Sequence, residues 1–318
     1  MKQAFQTKRR QGFTLIELMV AMVITSIIVV VLVSVTRMAL DTWNRSRSEL
    51  RASRQGKALI AAVAKDFESM VYRSGNTNEW LFAELDDLSG NDKLEMGNAF
   101  KVVFFSAPTD RYDGKLGTAD DLGGDVCAIA YQLAYRDPID PAATNEFKTY
   151  IFNRLLVDPK PTFDELLGEP ELDDAFGTYE SGLDEKDRLD GVNNFICENI
   201  YQFTLKVELE VTKTSSATPP VTTRHRVALI LAPDQVTELR IKGSEMTASG
   251  TMPNKDDGTA LTPDELKTGK LKSVEISVTV LTDRAVDQVR NRSITGDLAA
   301  FLLKNSYQFS RSIQLPSS

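Results

Sequence analysis

RRQGFTLIELMVAMVITSIIVVVLVSV, residues 9–35, decides how the rest of this 318-residue chain is read. Four cations, Lys2, Lys8, Arg9 and Arg10, stand in front of it. From Phe13 to Thr36 the chain then runs 24 residues with a single charge, Glu17, and with neither Pro nor Gly. At about 1.5 Å per residue this makes a helix of about 36 Å, enough to cross a hydrocarbon core of about 30 Å. The basic leader fixes its own end in the cytoplasm, so the body that follows is exported. A carboxylate placed just inside such a run is expensive and is rarely found there without a role.

Three readings of this segment compete. A secretory signal peptide predicts an A-x-A-like cleavage site after the apolar run. The residues that follow, SVTRMALDTWNRSRSEL, instead continue as helix with no turn signal. A plain signal anchor accommodates the length and leaves Glu17 unexplained; it corresponds to a membrane-anchored binding or enzymatic domain that never polymerises. The third reading uses every position. Gly12-Phe13-Thr14-Leu15-Ile16-Glu17-Leu18-Met19-Val20 after a short basic leader resembles the N-terminal signal of the type IV pilin superfamily.

The resemblance implies the following. A prepilin peptidase cuts on the cytoplasmic side after Gly12 and methylates the new N-terminal residue, Phe13. Glu17, the fifth mature residue, serves assembly by meeting the freed amine of a neighbouring subunit. Opposite charges in a low dielectric attract strongly, but desolvation cancels much of the gain unless the pair is well made. The carboxylate is then a register device, as one buried polar residue is in a coiled coil. The implied partners are prepilin peptidase, other pilin-like subunits and the inner membrane. The implied location is single-pass in the inner membrane, N-terminus cytoplasmic and C-terminal domain periplasmic, or assembled in a filament. The body is large for a major subunit of that family. Its size and the VEISVTVLTDRA segment look more like a minor pilin or the J-type minor pseudopilin of type II secretion.

The helical pattern does not end with the apolar run. Trp43, Leu50, Leu59, Ile60, Val63, Phe67 and Met70 recur mostly at three-, four- and seven-residue spacings, which predicts one apolar stripe. The helix is expected from about Thr14 to Tyr72, with Ser74-Gly75-Asn76 as its stop. Arg45, Arg47, Arg51, Arg54 and Lys57 lie on or beside its other faces, as a solvated face or as a collar for anionic neighbours.

Beyond the helix the period changes from 3.6 to 2. Strands are expected at 99–106, 126–135, 149–157, 199–211, 226–231, 238–242, 273–282 and 307–315. The runs 212–223 and 244–265 are expected as polar loops, and 283–304 as helix and turn. The fold class is α+β, one long helix packed on an antiparallel sheet. The organisation is a leader at 1–12, an apolar half-helix at 13–36, its amphipathic continuation at 37–73, and an exported α+β domain at 74–318.

Charge and chemistry narrow the function. The net charge is −8 although both N-terminal segments are basic, so the body is strongly acidic. That argues against a nucleic-acid partner, which wants a basic face. One histidine, His225, and two cysteines, Cys127 and Cys197, leave little for a metal site or a nucleophilic triad. Arg224 and Arg226 flank His225, which does not suit a general base that needs an acidic partner. The cysteines are open to two readings, a disulfide closing a long loop after export or two buried thiols. Asp110, Asp113, Asp120, Asp121 and Asp125 fall in a Gly-rich run that supplies hard oxygen ligands of the kind calcium takes. Their spacing is not an EF-hand, and a solvated turn uses the same residues. Asp187-Arg188-Leu189-Asp190-Gly191 echoes the pattern. An acidic loop accounts for Glu171, Asp173, Asp174, Asp184, Glu185 and Asp187. No cofactor fingerprint is present, and the expectation is a structural subunit rather than an enzyme.

Overall fold

The computed structural model describes residues 14–72, 75–86, 99–108, 125–137, 148–182, 188–214, 222–291, 294 and 296–315. The leader, Gly12 and Phe13 lie outside the described residues, as do Asp110, Asp113, Asp120, Asp121, Asp184, Glu185 and Asp187. One helix, α1, spans Leu15–Glu68 in 54 residues. The chain divides into two units, Met1–Glu49 and Leu50–Ser318.

In the second unit α1 buries Ala52, Leu59, Ile60, Val63, Ala64, Phe67 and Met70. This is the expected stripe with one correction: Leu50 is exposed, as is Trp43 in the first unit, and Ala52 begins the buried face instead. α1 ends at Glu68, short of the expected Tyr72, and Met70 already bridges Ser106; Gly75, with φ +81°, lies beyond that bridge in a left-handed conformation that glycine adopts freely. Gly56 allows a close approach, since a Cβ there would overlap the Phe309 ring.

Eleven strands form two antiparallel sheets among the described residues, where one sheet was expected. They are β1 Glu79–Asp86, β2 Ala99–Ser106, β3 Cys127–Arg136, β4 Thr149–Val157, β5 Phe195–Glu198, β6 Ile200–Thr214, β7 Thr222–Ile230, β8 Val236–Lys242, β9 Met246–Gly250, β10 Lys270–Leu281 and β11 Ser306–Gln314. The first sheet has the order β5-β4-β3-β2-β1-β8-β9 and the second β11-β10-β6-β7. The predicted hairpin of β3 and β4 forms, with Ala128 opposite Val157 and Arg136 opposite Thr149. The run 212–223 joins β6 to β7, which pair to their tips at Thr214 and Thr222. The helices after α1 are short: α2 Pro159–Pro161, α3 Leu172–Gly177, α4 Pro263–Lys267, α5 Asp283–Asn291 and α6 Leu298–Lys304.

The alternation of β2 sorts the layers. Phe100, Val102 and Phe104 face α1 and the second sheet. Phe67 stacks on Phe104 at 4.3 Å between centroids, and Phe203 of β6 lies 4.8 Å from Phe100 and 4.9 Å from Phe152. Full burial of one such ring stabilises by about 1.5–3 kcal/mol, so this aromatic row is a main source of cohesion. On the opposite face Lys101 meets the helical segment 159–182.

That segment is held by charge. The buried Lys101 ammonium pairs with Glu84 at 2.6 Å, Glu180 at 2.7 Å and Asp173 at 2.9 Å. Arg240 pairs with Glu238 and reaches Asp173 at 3.5 Å, Glu79 at 3.7 Å and Glu171 at 3.9 Å. Both cations lie over the Phe82 ring. Glu79 also accepts the Leu172 N–H at 2.6 Å, and burial raises its pKa above the usual carboxylate value.

A second network ties α1 to the first sheet. Asp66 is buried and accepts from Arg154 Nε at 2.8 Å, from Arg154 Nη2 at 3.2 Å and from the Tyr131 hydroxyl. Burial first, then the Asp66 charge, holds that hydroxyl in its protonated form.

The chain passes from the first sheet to the second twice, between β9 and β10 and, earlier, at a single residue between β5 and β6, Asn199. Its φ of 62° is left-handed, where Asn is tolerated better than most residues. All four of its polar groups are used. Its N–H donates to Tyr150 at 2.7 Å and its carbonyl accepts from Leu281 at 2.8 Å. Its side chain accepts from Thr149 at 2.9 Å and donates to Asp283 at 2.7 Å. The return, from β7 to β8, is a turn in which Ala232 N–H meets the Val236 carbonyl at 3.0 Å.

Candidate functional site

Within the first unit, α1 exposes nearly every apolar side chain from Leu15 to Leu40. Among the described residues it is the one helix long and apolar enough to cross a membrane. Its polar groups close on the helix itself. Thr25 Oγ1 donates to Ala21 O at 2.7 Å, Ser26 Oγ to Met22 O at 2.9 Å and Thr36 Oγ1 to Leu32 O at 2.8 Å. Such back-bonding removes hydroxyls that would otherwise be stranded in hydrocarbon.

Glu17 is part of the helix start. Thr14 N–H donates to Glu17 Oε2 at 2.8 Å and Thr14 Oγ1 to the same oxygen at 2.9 Å. Glu17 N–H donates back to Thr14 Oγ1 at 3.3 Å. This is a capping box, Thr-x-x-Glu, which satisfies donors that a helix N-terminus leaves without partners. The signal lies in Thr14-Leu15-Ile16-Glu17, where the charge of Glu17 alone does not reveal the cap. Both Thr14 bonds end on Oε2, so among the described residues Oε1 accepts nothing.

The remaining candidates sit in the body. The basic collar is partly paired: Arg45 with Glu49 at 2.8 Å, and Arg51 with Glu198 and with Asp283 at 3.1 Å. Cys127 and Cys197 are buried and unbridged, and burial pushes the Cys197 thiol up to about 12. Of the Asp-rich run only Asp125 is described. In its echo, Asp190 is held by Arg188 at 2.7 and 3.1 Å. Glu171 and Asp173 serve the clasp around Arg240 and Lys101.

His225 has acidic partners after all. Nδ1 lies 2.5 Å from Asp256 Oδ1, Nε2 lies 3.9 Å from Asp257 Oδ2, and Thr223 Oγ1 is 3.0 Å from Nε2. Asp256 lies 31 residues downstream and Asp257 follows it, so Arg224 and Arg226 dominate the local sequence. The contacts fasten the segment 251–261 to β7. In that segment Lys255 pairs with Glu265 at 2.9 Å, and Glu265 closes a second capping box on Thr262.

Residues 7–33 match the Prokaryotic N-terminal methylation motif. This prepilin-type motif supports placing the chain in the type IV pilin superfamily, and it marks a pilin-like precursor handled by prepilin peptidase. The apolar helix and the motif together fit a membrane-anchored, single-pass protein. Comparison of the whole chain with curated proteins and with solved structures gives no match.

Proposed function

We propose that the chain is a non-catalytic structural subunit, a minor pilin or minor pseudopilin of a type IV pilus-like or type II secretion filament. Prepilin peptidase cuts it after Gly12 and methylates Phe13, and the apolar half of α1 enters the filament core. Glu17 carries the reading. It is the one charge in the apolar run, and it has an oxygen to spare beyond its cap. The Phe13 amine created by cleavage lies about one helical turn from Glu17, so a neighbouring helix displaced by about 6 Å along the axis brings amine to carboxylate. Burial of both charges is tolerated when they meet and is costly when they do not, which makes the pair selective for one register.

The test has two parts. Mass spectrometry of the purified protein is expected to find an N-methylated Phe13 as the first residue. Glu17→Ala is expected to insert and be cleaved normally and to drop out of filaments. A mature chain starting at Met1, or normal incorporation of the variant, overturns the reading.

A further inference from the structure

We infer that the body carries a preformed binding pocket for an acidic peptide segment, at the end where α1 finishes. The cavity holds about 360 Å³ and is lined by Tyr72, Trp80, the turn from Ile241 to Met246, and residues 267–271. This lies in the volume range of built ligand sites, about 300–1,000 Å³. A chain that never polymerised would keep this cavity.

Three observations define its occupant. The floor is apolar: Trp80, Ile241, Met246 and Leu271 are buried, and Tyr72 meets Trp80 edge-on at 5.4 Å. The rim is cationic, with Lys242, Lys267 and Lys270 against one acid, Glu245. Among the described residues Lys267 has a loose contact with Asp264 at 3.5 Å, and Lys242 and Lys270 make no ion pair. In a chain of net charge −8 such a concentration of cations favours a negative visitor. Both walls are also fixed beforehand. Gly243 N–H donates to Asn78 O at 3.2 Å and Gly243 O accepts from Gly75 at 2.9 Å. A Cβ at Gly243 would collide with Asn76, so the turn sits on the 75–78 segment as only glycine can. The other wall follows α4, whose start is locked by its capping box and by the Lys255–Glu265 pair.

A bare inorganic anion would use the lysines and leave the apolar floor wet. A peptide with one large apolar side chain flanked by carboxylates uses both. Pre-organised walls reduce the ordering cost of such a contact.

The experiment uses the full-length protein in detergent micelles and fluorescein-labelled hexapeptides, each with one Phe among Asp and Glu residues. Control peptides carry Asn and Gln, or Ser in place of Phe. The expected result is saturable binding that weakens with salt and falls at least about tenfold in Lys267→Glu/Lys270→Glu, both exposed positions, with the melting temperature unchanged. The Asn/Gln and Ser peptides are expected to bind at least about tenfold more weakly than the parent. Absence of binding across the set overturns the inference. So does equal binding by the double variant, by the amide peptides or by the Ser peptides. Displacement by millimolar inorganic phosphate, or preference for phosphatidylglycerol vesicles over peptide, overturns it in favour of a simple anion or a lipid headgroup. None of these outcomes bears on cleavage at Gly12 or on Glu17.

Discussion

Replacing Asp66 by Ala tests how α1 is attached to the first sheet. Asp66 is 3% exposed and receives two bonds from Arg154, at 2.8 and 3.2 Å, and one from Tyr131. The substitution removes the Asp66 carboxylate from that group. It leaves a largely buried guanidinium and a buried hydroxyl facing each other. Removing one partner of a buried pair costs about 3–5 kcal/mol, mostly because the other charge stays behind. For a body of this size that lowers the melting temperature by roughly 6–20 °C. The assay is a near-ultraviolet circular dichroism melt of the full-length protein in detergent, which follows the packed aromatic side chains. Arg154→Met in the Asp66→Ala background removes the stranded charge, so the double variant should recover part of the loss rather than add to it. A single variant that melts within about 2 °C of the parent would refute this account, since the lost pair would then be worth less than 1 kcal/mol.

Four further outcomes follow from the same structure. Asn199→Ala loses two side-chain bonds and the better tolerance of Asn for a left-handed backbone, so it should cost about 2–4 kcal/mol, whereas Asn199→Gly adopts that backbone freely and should cost visibly less in the same melt. Lys101→Met leaves Glu84, Asp173 and Glu180 repelling one another, and hydrogen exchange should show the 159–182 segment opening before the rest of the body. Glu265, lowered from 4.5 to about 2 chiefly by the Lys255 hydrogen bond, contributes stability that is present above pH 4.5 and is lost as pH falls toward 2; Glu265→Gln should remove that pH dependence from the 251–265 segment. Cys127 and Cys197 should resist iodoacetamide in the native protein and both react after unfolding without reductant, and a mass that shifts on reduction would contradict the unbridged state.

Periodicity made most of the fold legible, and its failures have physical causes. β6 stands out because its burial alternates, with one face in the core, whereas β2, β3 and most of β4 are buried on both faces and stand out as nearly continuous apolar runs. β9 reads as loop because MTASG has one large apolar residue, Met246, which stands opposite Ile241 of the preceding strand β8. β1 was passed over because EWLFAELD has charge at both ends; Glu79 and Glu84 are accommodated by Arg240 and Lys101, which no local pattern reveals. The first passage between the two sheets turns on Asn199, and a single left-handed residue leaves no periodic trace. The partners of His225 were hidden for the same reason as those of Asp66: they come from distant segments. The N-terminal motif is legible because it is local: Gly12, Phe13, Thr14 and Glu17 fall in one short stretch of sequence, within the matched residues 7–33.

That locality raises a question which one substitution can answer. Glu17 caps its own helix, and the proposed assembly role needs its negative charge. Capping and charge are separable. Glu17→Gln keeps an oxygen that accepts from Thr14 N–H and Oγ1, so the helix start should persist. It removes the charge that an amine on a neighbouring subunit would seek. Thr14→Ala does the reverse: it deletes both bonds made through the hydroxyl and leaves the carboxylate ionisable. If Glu17 matters only as a cap, Thr14→Ala and Glu17→Ala should impair filaments alike, and Glu17→Gln should be nearly silent. If the free oxygen of Glu17 meets a neighbour's Phe13 amine, Glu17→Gln should be excluded from filaments almost as fully as Glu17→Ala, while Thr14→Ala is incorporated. Incorporation measured beside membrane insertion and cleavage for all three variants separates the two cases, because a helix that fails to start would also fail to insert. Glu17→Gln subunits found in filaments at the parental level would leave the carboxylate as a helix cap alone.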